Sequence, residues 1–142
     1  IVKPVEIRRY QKGPKGWTHT TLATISDRQT RFLIPGDFDG DGRIELIAPT
    51  MSAGLFRILP PPGGGIDGEW SAARFDADSG GFEHAAVGAD LDGDGTLELY
   101  VAADRQKELR RYVWSKERGA FDKETIARFE GRYFTFNING DR

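Results

Sequence analysis

Apolar and polar residues alternate in short runs along this chain, and no stretch sustains a helical repeat. In Ile44-Glu45-Leu46 and Leu97-Glu98-Leu99 the apolar positions sit two apart, the period of a strand. Turns rich in Gly and Asp separate the runs. The pattern predicts strands at 31–36, 43–49, 54–59 and 69–75, then again at 84–89, 96–103, 108–114 and 121–128. Helix content is expected to be near zero.

Three elements recur in the same order. The first is an acidic stretch, GDFDGDGRIEL at 36–46 and GADLDGDGTLEL at 88–99, with FNINGDR closing the chain. The second is EIRRY at 6–10, LFRIL at 55–59 and ELRRY at 108–112. The third opens on an aromatic residue, Trp17, Trp70 or Phe121, with an apolar residue five positions later at Leu22, Phe75 and Ile126. Four short antiparallel strands repeated at about 50 residues are the signature of β-propeller blades. The chain is therefore expected to be all-β, one propeller segment over 1–142. It would hold a partial blade at 5–25, blades at 31–75 and 84–128, and the start of a further blade at 131–142. Closed propellers use about 4 to 8 blades. The expectation is a piece of a larger ring, or a protomer that closes one by homo-oligomerisation.

Composition narrows the function classes. At 142 residues the chain suits one domain. Charged residues make up 30% but leave a net charge of only −2, which gives no reason to expect nucleic-acid or membrane-surface binding. No apolar run approaches the roughly 18 residues of a membrane-spanning helix. Cysteine is absent, which excludes disulfides and thiolate metal sites.

The acidic stretches carry the candidate chemistry. Counted from Asp37, loop positions 1, 3 and 5 are Asp37, Asp39 and Asp41, position 7 is Arg43 and position 9 is Glu45. The second copy supplies Asp90, Asp92, Asp94, Thr96 and Glu98. Alternate carboxylates on a glycine-containing turn can converge on one centre, and the position-7 carbonyl can add a neutral oxygen. Such an all-oxygen set suits Ca²⁺ better than a transition metal. Carboxylates crowded in this way repel unless a cation sits among them. An EF-hand would need a bidentate Glu at position 12, where Ala48 and Val101 stand instead. Asn137, Asn139 and Asp141 repeat the pattern with less charge, so weak binding or none is expected there.

DFDGDGRIELIA and DLDGDGTLELYVA resemble FG-GAP repeats, also called VCBS-type repeats, which build β-propellers including the head of integrin alpha subunits. The resemblance covers nearly the whole chain. It implies a calcium loop between the first two strands of each blade, with Asp37, Asp39, Asp41, the Arg43 carbonyl and Glu45 as ligands in one copy. Asp90, Asp92, Asp94, the Thr96 carbonyl and Glu98 are implied in the other. It also implies a secreted or periplasmic setting.

Other residues have plainer expectations. His19 and His84 lack catalytic or metal-binding companions and read as strand or turn residues. The pairs Arg8-Arg9 and Arg110-Arg111 read as exposed strand faces. PPPGGG at 60–65 reads as a long turn between third and fourth strands. Trp17 and Trp70 are expected to pack between blades, and Trp114 could offer a surface for stacking a sugar. The function expected is a non-catalytic, calcium-stabilised binding or scaffold module for a protein or glycan. The alternative is part of an extracellular carbohydrate-active enzyme, a lyase or sugar dehydratase, which would require a pocket joining His19, His84 or the Arg pairs.

Overall fold

The computed structural model describes residues 3–63, 65–82 and 84–130. Within them the chain is all-β, with ten strands in three antiparallel sheets and no helix. A hairpin pairs β1 (Val5–Gly13) with β2 (Gly16–Ile25) through a turn at Pro14 and Lys15. The second sheet is β3 (Ile34–Gly36), β4 (Glu45–Pro49), β5 (Leu55–Leu59) and β6 (Ser71–Asp76), adjacent in chain order. The third repeats that order with β7 (Ala85–Ala89), β8 (Glu98–Ala103), β9 (Glu108–Ser115) and β10 (Ala120–Arg128). These strands fall inside or within a residue or two of the ranges read from alternation and turns. The reading for 131–142, including Asn137, Asn139 and Asp141, lies outside the described residues.

Two apolar clusters hold the sheets together. Phe38 of the β3–β4 loop and Ile47 and Leu55 of the second sheet meet Leu99, Val101 and Tyr112 from the third, with Phe75 and Phe121 packed against them. Ile7, Ala23 and Ile25 of the hairpin meet Ala48 and Ile58 of the second sheet, with Trp70 against them. The second sheet meets one cluster on either side, and in the third sheet all six residues of β8 are buried. Glu45 and Glu98, the polar members of the alternating runs, therefore do not face water, being 1% and 0% exposed. Close approach between sheets is set at Gly36, where an added Cβ would lie 2.4 Å from Leu97 and 2.7 Å from the Phe38 ring. Any side chain there would push the first cluster apart.

The third recurrent element has a structural meaning. In each strand pair the register slips by one residue, and the residue left out is Leu22, Phe75 or Ile126. The repeated apolar position is thus the extra residue of a β-bulge in β2, β6 and β10. Trp17, expected between blades, is 69% exposed at the hairpin tip. It lies too near the turn to reach the neighbouring sheet, whereas Trp70 is half-buried against the second cluster.

Candidate metal centre

The two acidic loops connect the first and second strands of the two four-stranded sheets, and they share one internal design. Asp37 accepts the backbone N–H groups of Asp41 at 3.0 Å and Gly42 at 2.9 Å. Asp90 accepts those of Asp94 at 3.1 Å and Gly95 at 3.0 Å. Asp39 and Asp92 each receive the N–H two residues on. Asp41 and Asp94 do the same with Arg43 and Thr96. The glycines give the turns matching left-handed angles: φ is 71° and 86° at Gly40 and Gly42, and 76° and 86° at Gly93 and Gly95. These side-chain-to-backbone bonds hold each loop closed by local chemistry, with its carboxylates gathered.

Carboxylate oxygens of Asp90, Asp92, Asp94 and Glu98 lie within 4.8 Å of one another. In the first loop Asp37, Asp39 and Glu45 meet the same measure. Asp41 is not in that group, because its other oxygen is held by the Arg43 guanidinium at 2.5–2.8 Å. Thr96 stands where Arg43 does, and its side chain leaves Asp94 with the cluster. The position-9 glutamates come up from beneath, at the starts of β4 and β8. Both are fully buried, but they are satisfied differently. Glu98 accepts from Tyr100 Oη at 3.0 Å, the Leu91 N–H at 3.2 Å and Arg111 at 3.0 Å. Glu45 bonds Arg57 through Oε1, while its buried Oε2 has no hydrogen-bond partner. Ile47 occupies the register position that Tyr100 holds in the other sheet. Burial pushes the Glu45 carboxyl upward, against the opposing pull of Arg57. An all-oxygen donor set around a buried, unsatisfied carboxylate oxygen fits a hard divalent cation.

Sequence reasoning missed two members of the site. Arg57 reaches from β5 to both Asp39 and Glu45, and Arg111 reaches from β9 to Asp92 at 2.5 Å and to Glu98. A gapless alignment of LFRIL with ELRRY would set Arg57 beside Arg110. Glu45 and Arg57 are 12 residues apart but Glu98 and Arg111 are 13, so the β8–β9 connection carries one residue more and register sets Arg57 beside Arg111 instead. The hairpin equivalent is Arg9, which bonds Asp67 at 2.6 Å and the Ile66 carbonyl at 2.5 Å. In all three arginines Nε is buried without a hydrogen-bond partner.

The expectation of exposed Arg faces holds for Arg8, which pairs with Glu6 at the surface, and fails for Arg110. Arg110 is 2% exposed and lies between Glu108 at 2.6 Å and Asp76 at 3.5 Å. Trp114 is no free stacking platform: the Arg57 guanidinium covers its ring at 4.2 Å and Phe121 meets it edge-on. The two histidines are far apart in role. His19 lies against the Tyr10 ring on exposed β2. His84 is buried, its Nδ1 on the Thr50 carbonyl at 2.7 Å and its Nε2 on Ser79 Oγ at 2.8 Å. The pit beside His84, lined also by Arg31, has a volume of about 10 Å³, room for one water at most.

His84 thus acts as a pin between the Thr50 turn and the Ser79 segment. Burial holds its pKa below the ordinary imidazole value. The folded state then binds fewer protons than the unfolded state below about pH 6.5. Its contribution should be complete above that pH and be lost as pH falls toward the lower folded value. His84→Ala should cost about 1–3 kcal/mol by leaving buried partners unpaired, and should flatten the acid limb of stability measured by urea unfolding at pH 5 to 7.

In comparisons with protein-family models, with curated proteins and with solved structures, nothing matches the chain.

Proposed function

We propose that the chain is a calcium-binding β-propeller segment of FG-GAP type, in which each four-stranded sheet is a blade and each acidic loop a Ca²⁺ site. The observation that carries this is the coincidence of two identical loop designs at the same point of two successive sheets, each placed over a buried glutamate. The ion's task would be structural: it would bind the loop carboxylates to the position-9 glutamate and so fix the first strand to the second. Two such sheets and a hairpin leave a ring open, so closure would fall to further blades, from a second copy or the rest of a larger propeller. The function that follows is a non-catalytic binding or scaffold module presenting its loops to a protein or glycan. A secreted or periplasmic setting, where calcium is plentiful, suits such sites.

Calorimetric titration with CaCl₂ tests this. Two ions per chain are expected, one per described loop. Asp92→Asn with Asp94→Asn should remove one of the two, and no heat on calcium addition would end the proposal.

A further inference from the structure

Each carboxylate cluster holds a cation of the chain's own, and the two clusters differ in how many such cations surround them. Arg57 uses a single nitrogen, Nη2, to bond both Asp39 Oδ2 and Glu45 Oε1. A calcium ion on those oxygens would sit about 2.3–2.6 Å away on the same lone pairs. Two cations cannot share those positions without strong repulsion. We propose that Arg57 is an internal competitor for calcium, resting in the first loop when the ion is absent and displaced toward Trp114 when it binds. This rests on calcium binding at that loop.

The geometry supplies the means for displacement. Arg57 already lies 4.2 Å over the Trp114 ring, so a cation–π contact is ready to hold the guanidinium once the carboxylates release it. Its buried Nε has no acceptor, so no second hydrogen bond from that atom resists the movement. Trp114 belongs to β9 of the neighbouring sheet. Filling the first loop would therefore change a contact between sheets as well as within one.

The second loop lacks this arrangement. Arg111 reaches Asp92 and Glu98 through Nη2, but no aromatic ring stacks on it among the described residues. The first loop also meets Arg43 and, at the other side, Lys116: a Cβ at Gly40 would lie 3.3 Å from Lys116 Nζ, while one at the equivalent Gly93 would meet nothing within 4 Å. Three cationic side chains thus oppose calcium at the first loop and one at the second. The two sites should fill in order, the second loop first.

The test uses the full chain with Asp92→Asn and Asp94→Asn, leaving the first loop as the calcium site, and follows tryptophan emission and heat during CaCl₂ titration. A saturable emission change is expected, absent when Trp114 is also replaced by Phe. Adding Arg57→Met should tighten calcium binding roughly tenfold and abolish the emission change. Equal or weaker binding in Arg57→Met, with unchanged far-ultraviolet circular dichroism, overturns the competitor role. Should the Met chain lose its sheet signal, Arg57→Lys decides. A lysine cannot bridge both carboxylates and stack at once, so tighter binding than the parent supports the role and equal or weaker binding overturns it. Calcium heat in the parent that the Arg57 variants leave unaltered removes the competitor alone. No calcium heat in any chain removes the calcium reading and this inference together.

Discussion

Raising free calcium from a chelated baseline to a hundredfold excess over its dissociation constant should lift the melting temperature by about 15 °C. The reasoning is mass action. An ion that binds the folded chain and not the unfolded one adds about 2.7 kcal/mol per site at that excess, and two sites double it. For a chain of this size each kcal/mol moves the midpoint by about 3 °C. The effect should be larger than ordinary salt stabilisation, because the ion supplies the partner that Glu45 Oε2 lacks and relieves repulsion among carboxylates within 4.8 Å of one another. Magnesium should do less, since it demands six short, near-octahedral contacts and keeps its waters. Scanning calorimetry with EDTA, MgCl₂ and CaCl₂ checks this. Identical melting in all three would deny the ion its structural role.

The second large effect is expected from Asp76→Ala, which should destabilise the chain by about 3–5 kcal/mol, the range for removing one partner of a buried charge network. Asp76 ends β6 and faces the third sheet. It accepts from Tyr112 Oη at 2.7 Å and Lys123 Nζ at 3.1 Å, with Arg110 Nη1 at 3.5 Å. Burial alone would raise its pKa, but the bonds from Tyr112, Lys123 and the Asp78 N–H outweigh it and hold the value below the ordinary aspartate range. The folded carboxyl therefore gives up its proton more readily than the unfolded one. Its contribution should be complete above about pH 3.9 and be lost as pH falls through the lower folded value. Urea unfolding at pH 7 and pH 3 should show the wild-type and Ala chains converging at acid pH. Equal separation at both would assign the loss to packing. Asp76→Asn should cost less, since the amide oxygen can still accept from Tyr112.

Much of this architecture was legible in the sequence because local chemistry writes it there. Asp-Gly steps mark the β3–β4, β5–β6 and β7–β8 connections, and the period of two survives in Ile44–Leu46 and Leu97–Leu99. The gathered loop carboxylates were legible for the same reason, since Asp37 and Asp39, like Asp90, Asp92 and Asp94, are close along the chain before they are close in space. What stayed hidden depends on register between strands. Arg57 and Arg111 enter the clusters across a strand pair, and a one-residue difference in turn length decides which arginine does so. Leu22, Phe75 and Ile126 were visible as a repeated apolar column, but only pairing reveals that each is the residue left out. Arg110 looked like surface charge because Asp76 comes to it from β6 of the other four-stranded sheet, while Glu108, two residues away on β9 itself, turns to it only once the strand is paired and covered.

The slipped residue at Leu22, Phe75 and Ile126 also bears on how this chain behaves at high concentration. β2, β6 and β10 are the outermost members of their sheets, and a straight outermost strand offers a ready template for a stranger's backbone. A local kink breaks the even spacing of free N–H and C=O groups that such docking requires. Each sheet thus carries, on its vulnerable flank, a built-in obstacle to fibrous self-association.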